Sequence, residues 1–96
     1  LDGIDVLWIG HFDLTNSMGI PAQFEHPAYQ AAVDRVLEAC RKNGKAAGFM
    51  TSSVDDGRAL VRRGFRCLAY WGDIWIYQEG LRRGIAGIRA GLAARA

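Results

Sequence analysis

The chain has 96 residues, half of them apolar, so one compact core fits and two domains do not. Its formal net charge is +2, with Lys and Arg interspersed among Asp and Glu, a balance that leaves no electrostatic footprint for nucleic acid. Apolar stretches break at Arg, Asp or Gly well short of the roughly 20 residues a membrane span needs, so no membrane partner is expected.

Leu1 is not an initiator methionine, and Asp2-Gly3-Ile4-Asp5 leads at once into a buried-strand pattern. The chain is therefore expected to enter in mid-domain, as a fragment. No basic-then-apolar leader opens it, which makes the cytoplasm the expected location. Val6-Leu7-Trp8-Ile9 is a short apolar run ending at Gly10, as expected of a strand covered on both faces of a parallel sheet. From Gly10 to His26 the residues Asn16, Ser17, Gly19 and Pro21 argue for a long loop with at most a short helical turn, and loops of that length tend to be functional.

Pro27 suits a first helical position beside His26 at the helix entrance, with Glu25 a solvated loop charge. Tyr29, Val33, Val36, Leu37 and Cys40 then recur at helical spacing up to Gly44. Lys45 to Met50 reads as a second strand, and Ser52 or Ser53 caps a helix whose first turn holds Asp55 and Asp56 and which stops at Gly64. Phe65 to Tyr70 reads as a third strand, and Asp73 as the N-cap of a terminal helix whose buried stripe is Ile74, Tyr77, Leu81, Ile85, Ile88 and Leu92. Cys40 and Cys67 lie in apolar-patterned segments without zinc spacing and read as small core residues in a reducing compartment. Strands alternating with helices give an α/β fold of parallel βαβ units, either an open sheet or a slice of a barrel. The fingerprint a dinucleotide-binding sheet needs is absent from the loops after Ile9 and Met50.

Asp13 stands just past the first strand, at the carboxyl edge where α/β enzymes place reacting groups, and a carboxylate there suits a hard divalent cation. Gly10 permits a sharp turn whose main-chain N–H groups can hold a substrate carboxylate. Read alone, Asp13 is better taken as capping a turn at Leu14, with Thr15, Asn16 and Ser17 as ordinary turn residues, since one carboxylate is too few ligands for a specific site.

The run from Gly3 to Gly19, Gly-Ile-Asp-Val-Leu-Trp-Ile-Gly-His-Phe-Asp-Leu-Thr-Asn-Ser-Met-Gly, resembles the strand-six segment of HpcH/HpaI aldolases, and the likeness continues through Pro21, His26-Pro27, Gly44-Lys45, Gly48, Gly64-Phe65 and Asp73. The resemblance implies that residues 1–96 are the C-terminal portion of a single TIM (β/α)8-barrel domain, about strands six to eight. It implies a metal-dependent aldolase cleaving 4-hydroxy-2-oxo acids to pyruvate or a related 2-oxo acid plus an aldehyde. Asp13 would be one of two acidic ligands to magnesium, manganese or cobalt, and the main chain of Gly10, Phe12 and Asp13 would hold the substrate carboxylate. The metal would polarise the keto oxygen and stabilise the enolate. The other acidic ligand, a substrate-binding arginine and a general-base histidine would come from earlier strands, so the chain alone is expected to be inactive. A citrate-lyase-like acyl-CoA lyase of the same superfamily is the enzyme alternative, and a non-catalytic remnant or oligomerisation module is the other.

His11 stands where the family more often has proline. It is either a second acid/base group or, on balance, a loop side chain with a hydrogen-bond partner. Met50 and Trp71 either line the pocket or pack the barrel and the terminal helix. In that helix Gly80, Gly84, Gly87 and Gly91 recur on one face, costing roughly 3 to 4 kcal/mol relative to alanine. The resemblance implies a homo-oligomer, a hexamer in intact relatives, in which this helix packs on a neighbouring subunit.

Overall fold

The computed structural model describes residues 1–95. Along the chain run β1 (Val6–Trp8), α1 (His11–Ser17), α2 (Pro27–Lys42), β2 (Ala46–Thr51), α3 (Val54–Arg63), β3 (Cys67–Tyr70) and α4 (Asp73–Ala93). The strands form one parallel sheet in the order β1-β2-β3, with Leu7 beside Ala47 and Phe49 beside Leu68. The α/β alternation is as expected, and the strand ends differ from expectation by a residue or two, the usual scatter of element boundaries. The span from Gly10 to His26 is corrected more substantially, because its first half is the helix α1 and not loop.

Side-chain alternation along the strands separates two faces. Leu7, Ile9, Ala47, Phe49 and Thr51 share one face by register, and a Cβ on Gly57 of α3 would lie 3.3 Å from the Thr51 methyl, so α3 covers that side. There Ile9, Tyr29, Val33, Cys40, Ala47 and Phe65 form the buried core, with Val36, Leu37, Phe49 and Leu60 packed around it. Val6, Trp8 and Gly48 share the opposite face, where a Cβ on Gly48 would come within 2.6 Å of the Trp8 ring. The absence of a side chain at Gly48 is what lets the indole lie across β2. Trp8 is nonetheless 49% exposed, because nothing among the described residues covers this second face. Cys67 stands on that open face by register and is only half-buried, which corrects its expected place in the core, while Cys40 is in it.

The helix ends follow local chemistry. His26 Nδ1 accepts the Ala28 N–H at 3.1 Å with Pro27 opening α2, and Ser53 Oγ accepts the Asp56 N–H at 3.1 Å at the start of α3. Gly64 ends α3 at φ 113°, a left-handed conformation that would cost an L side chain about 1 to 2 kcal/mol. At α4 the N-cap is Gly72 and not Asp73. The Asp73 carboxylate lies within the first turn and accepts the Ile74 N–H at 2.8 Å.

The expected burial of the α4 stripe is overturned. Ile74, Tyr77, Leu81, Ile85, Ile88 and Leu92 are all exposed, at 46% to 71% of their surface. α4 has no extended contact with any other described element, so the stripe is open from its first turn, and the 21 residues of α4, about 31 Å long, also outrun the 4 residues of β3, about 13 Å. The molecule accordingly measures 63 × 29 × 22 Å, with a radius of gyration of 18.3 Å against about 12.5 Å for a compact chain of this length. Its accessible surface is 7190 Å², against about 5500 Å² for a compact protein of its mass. Among the described residues a Cβ placed on Gly80, Gly84, Gly87 or Gly91 would meet no atom within 4 Å, so no contact there offsets the cost of the glycines.

Candidate functional site

Three parallel strands send their carboxyl ends to one edge, and the candidate groups follow from that edge. Ile9 is buried, and its N–H donates to the Gly48 carbonyl at 3.0 Å, fixing the chain as it leaves β1. At Gly10 the backbone turns into α1, whose first closing bond runs from the Leu14 N–H to the Gly10 carbonyl at 2.8 Å. No backbone or capping side-chain partner takes the N–H of Gly10, Phe12 or Asp13 among the described residues. Asp13 folds back over this turn, its Oδ2 lying 3.2 Å from where a Cβ on Gly10 would stand. A side chain at position 10 would crowd that carboxylate. Asp13 is exposed, and so is Phe12 at 55%. The sequence-derived trio Gly10, Phe12 and Asp13 thus forms one solvent-facing turn.

Thr15 secures this turn from behind. Its hydroxyl is fully buried, donates toward the His11 and Phe12 carbonyls at 3.0 and 3.1 Å, and accepts the Ala22 N–H at 3.0 Å. Ala22 has a φ of 56°, a strained conformation for alanine that the bond to Thr15 helps to hold. Its reading as an ordinary turn residue is therefore corrected. A buried Thr among turn-forming residues is indistinguishable by sequence from an exposed one, and only the returning chain at Ala22 reveals it.

His11 lies among aromatic rings and has no side-chain hydrogen bond among the described residues, contrary to the expected loop partner. Its ring stacks on Phe49 at 4.8 Å between centroids and 26° between planes, and meets Phe12 at 4.6 Å and Phe24 at 5.2 Å. Burial in these surroundings lowers its pKa from the usual histidine value and favours the neutral imidazole. Met50 borders the same hollow as His11, with Phe24, Gln30, Thr51 and Asp56 around it. Trp71 does not join them. It borders a separate hollow with Ser53, Tyr70, Ile76 and Glu79, beside the first turns of α4. Its backbone has a φ of 52°, unusual for an aromatic residue, and its N–H donates to the Thr51 carbonyl at 2.7 Å, tying the end of β3 to β2.

Asp13 has the donor chemistry a hard divalent cation selects, an anionic oxygen open to solvent at a strand mouth. It fits such an ion only as one ligand of a set, because no three His, Cys, Asp or Glu side chains gather among the described residues. No helix among the described residues is long and apolar enough to cross a membrane.

A model of the HpcH/HpaI aldolase/citrate lyase family matches residues 1–73. The chain belongs to this family. Over 91 residues it is 31% identical to 2-keto-3-deoxy-L-rhamnonate aldolase of Escherichia coli strain K12, covering 95% of this chain and 34% of that enzyme. An HpcH/HpaI aldolase/citrate lyase family protein from Burkholderia cenocepacia J2315 superposes with a TM-score of 0.85 at 27% identity, over 92% of this chain and 34% of the other. An HpcH/HpaI aldolase from Desulfitobacterium hafniense DCB-2 does so with a TM-score of 0.77 at 30% identity, over 92% and 34%. The chain thus spans about a third of the length of the relatives it matches, and over that third its fold matches their (β/α)8 barrel.

Replacing Thr15 by valine keeps the shape of the side chain and removes three polar contacts. Urea unfolding is expected to show a loss of about 1 to 3 kcal/mol. A midpoint equal to that of the parent protein would show that Thr15 does not secure the turn.

Proposed function

We propose that residues 1–96 are the C-terminal portion of a single (β/α)8 domain whose complete form is a divalent-metal-dependent carbon–carbon lyase. The substrate class is a 4-hydroxy-2-oxo acid, cleaved to pyruvate or a related 2-oxo acid and an aldehyde. What carries the proposal is the turn at the mouth of β1, where the Asp13 carboxylate folds over Gly10 beside open main-chain amides, in a chain of an aldolase family.

In this reading Asp13 is one ligand of magnesium, manganese or cobalt, and the main-chain N–H groups of Gly10, Phe12 and Asp13 receive the substrate carboxylate. When bound, the ion supplies Lewis-acid polarisation of a keto group. Phe12 gives the turn an apolar wall, and Met50 lines the neighbouring hollow. Trp71 lies at the same sheet edge but borders a separate hollow, so it stands outside this lining. A cytoplasmic setting belongs to the same proposal and accords with both cysteines being free thiols. No three His, Cys, Asp or Glu side chains gather around Asp13 among the described residues, so the isolated 96-residue polypeptide is expected to release no pyruvate from a 4-hydroxy-2-oxo acid with any divalent metal. Metal-dependent release by the purified chain would overturn this expectation.

In the complete enzyme, Asp13→Asn removes an anionic ligand while keeping the side chain's shape. Its metal-dependent kcat/KM is expected to fall by about 100-fold or more, with weaker Mn²⁺ binding in a direct titration. Parent-like turnover and metal affinity would sink the assignment, and selective turnover of an acyl-CoA substrate would move it to a citrate-lyase-like reaction.

The same proposal makes α4 the contact between copies in a homo-oligomer. Its exposed apolar stripe runs beside a glycine face that no atom of the described residues covers, and small residues at that spacing permit close helix approach. Substituting leucine at both Gly84 and Gly87 in the complete enzyme is expected to lower the assembled mass by light scattering. An unchanged mass would count against the contact.

A further inference from the structure

We propose that His11 is a positioning residue, whose ring holds the first turn of α1, and with it Asp13, against the end of β2. The inference rests on the role of Asp13 proposed above. α1 has no extended backbone contact with any other element among the described residues, so its placement depends on side chains. At its back, Leu14 packs against the core and Thr15 hydrogen-bonds to the returning chain. At its front, only rings reach another element.

His11 stacks on Phe49 of β2, and Phe49 in turn meets Phe65 of the core edge-on at 5.4 Å. A second path leaves the same turn. His11 and Phe12 both meet Phe24, and Phe24 meets the buried Tyr29 of α2 at 5.6 Å. His11 belongs to both paths, and among the described residues its ring is the one in α1 that stacks on a ring of the sheet. The role uses the flat face of the ring and no proton, so a phenyl ring serves it equally well and a branched aliphatic side chain does not.

The experiment compares His11→Phe and His11→Leu in the complete enzyme. It reads amide hydrogen exchange at Leu14 and Met18, and the KM for pyruvate in the aldol direction. His11→Leu is expected to speed exchange at Leu14 about three- to tenfold and to raise KM by a similar factor, with kcat changed less. His11→Phe is expected to match the parent in both. Should His11→Leu fail to fold, Phe49→Leu removes the stacking partner and reads the same tie.

Parent-like exchange in His11→Leu, or a His11→Phe as impaired as His11→Leu, overturns the ring-clamp role while leaving the assignment of Asp13 intact. Faster exchange with an unchanged KM overturns the positioning role. If Asp13→Asn also remains active in that case, the reading of the site has failed as well.

Discussion

Parallel pairing of β2 with both of its neighbours is the constraint from which the remaining geometry follows. Since all three strands run one way, the Gly10 turn, Thr51 and Trp71 are gathered at a single edge. The gathering is stitched by particular bonds. Ile9 donates to Gly48 at 3.0 Å on one side of β2, and Trp71 donates to Thr51 at 2.7 Å on the other. The second bond helps to hold Trp71 at its positive φ, a conformation costing on the order of 1 to 3 kcal/mol that ordinary coil would not retain. Function in this edge depends on backbone pairing before any side chain is considered.

Much of this was legible in the amino-acid order, for definite reasons. Gly10, Phe12 and Asp13 are close in sequence and lie on one helical turn, so their spacing predicts their proximity without tertiary information. The caps at His26 and Ser53 and the stop at Gly64 are likewise local. Other features could not be read because they depend on distant partners. Thr15 is buried only because the chain returns at Ala22, and His11 is desolvated only because Phe24 and Phe49 arrive from other segments. Met50 lies within β2 whereas Trp71 lies just beyond β3, and the two border different hollows, since side-chain direction beyond a strand end is set by the loop and not by strand alternation.

The terminal helix shows how periodicity can identify an element correctly and misjudge its surroundings. Ile74 through Leu92 has the spacing of a buried face, and the pattern does encode one. Burial needs an opposing surface, however, and α4 has no extended contact with any other described element, from its first turn onward. The open face of the sheet, with Val6 and Trp8, presents the same situation. Two apolar surfaces of this kind in one chain are the surplus expected when sequence has been shaped by neighbours outside the span that the chain occupies in its relatives.

His11 also illustrates a choice between two ways of making a helix start rigid. Proline, the residue that the family resemblance would lead one to expect at this place, presets φ near the helical value and sacrifices only an N–H that has no partner in the first turn. Histidine leaves φ free, so order must come from contacts made after folding. Three rings within 5.2 Å of the imidazole centroid provide such contacts, and they do so without using either ring nitrogen. The consequence is a difference in coupling. A proline would make the turn rigid on its own, whereas a stacked histidine makes its order depend on Phe49 in β2 and Phe24 before α2, so a disturbance in either segment reaches Asp13 through the ring.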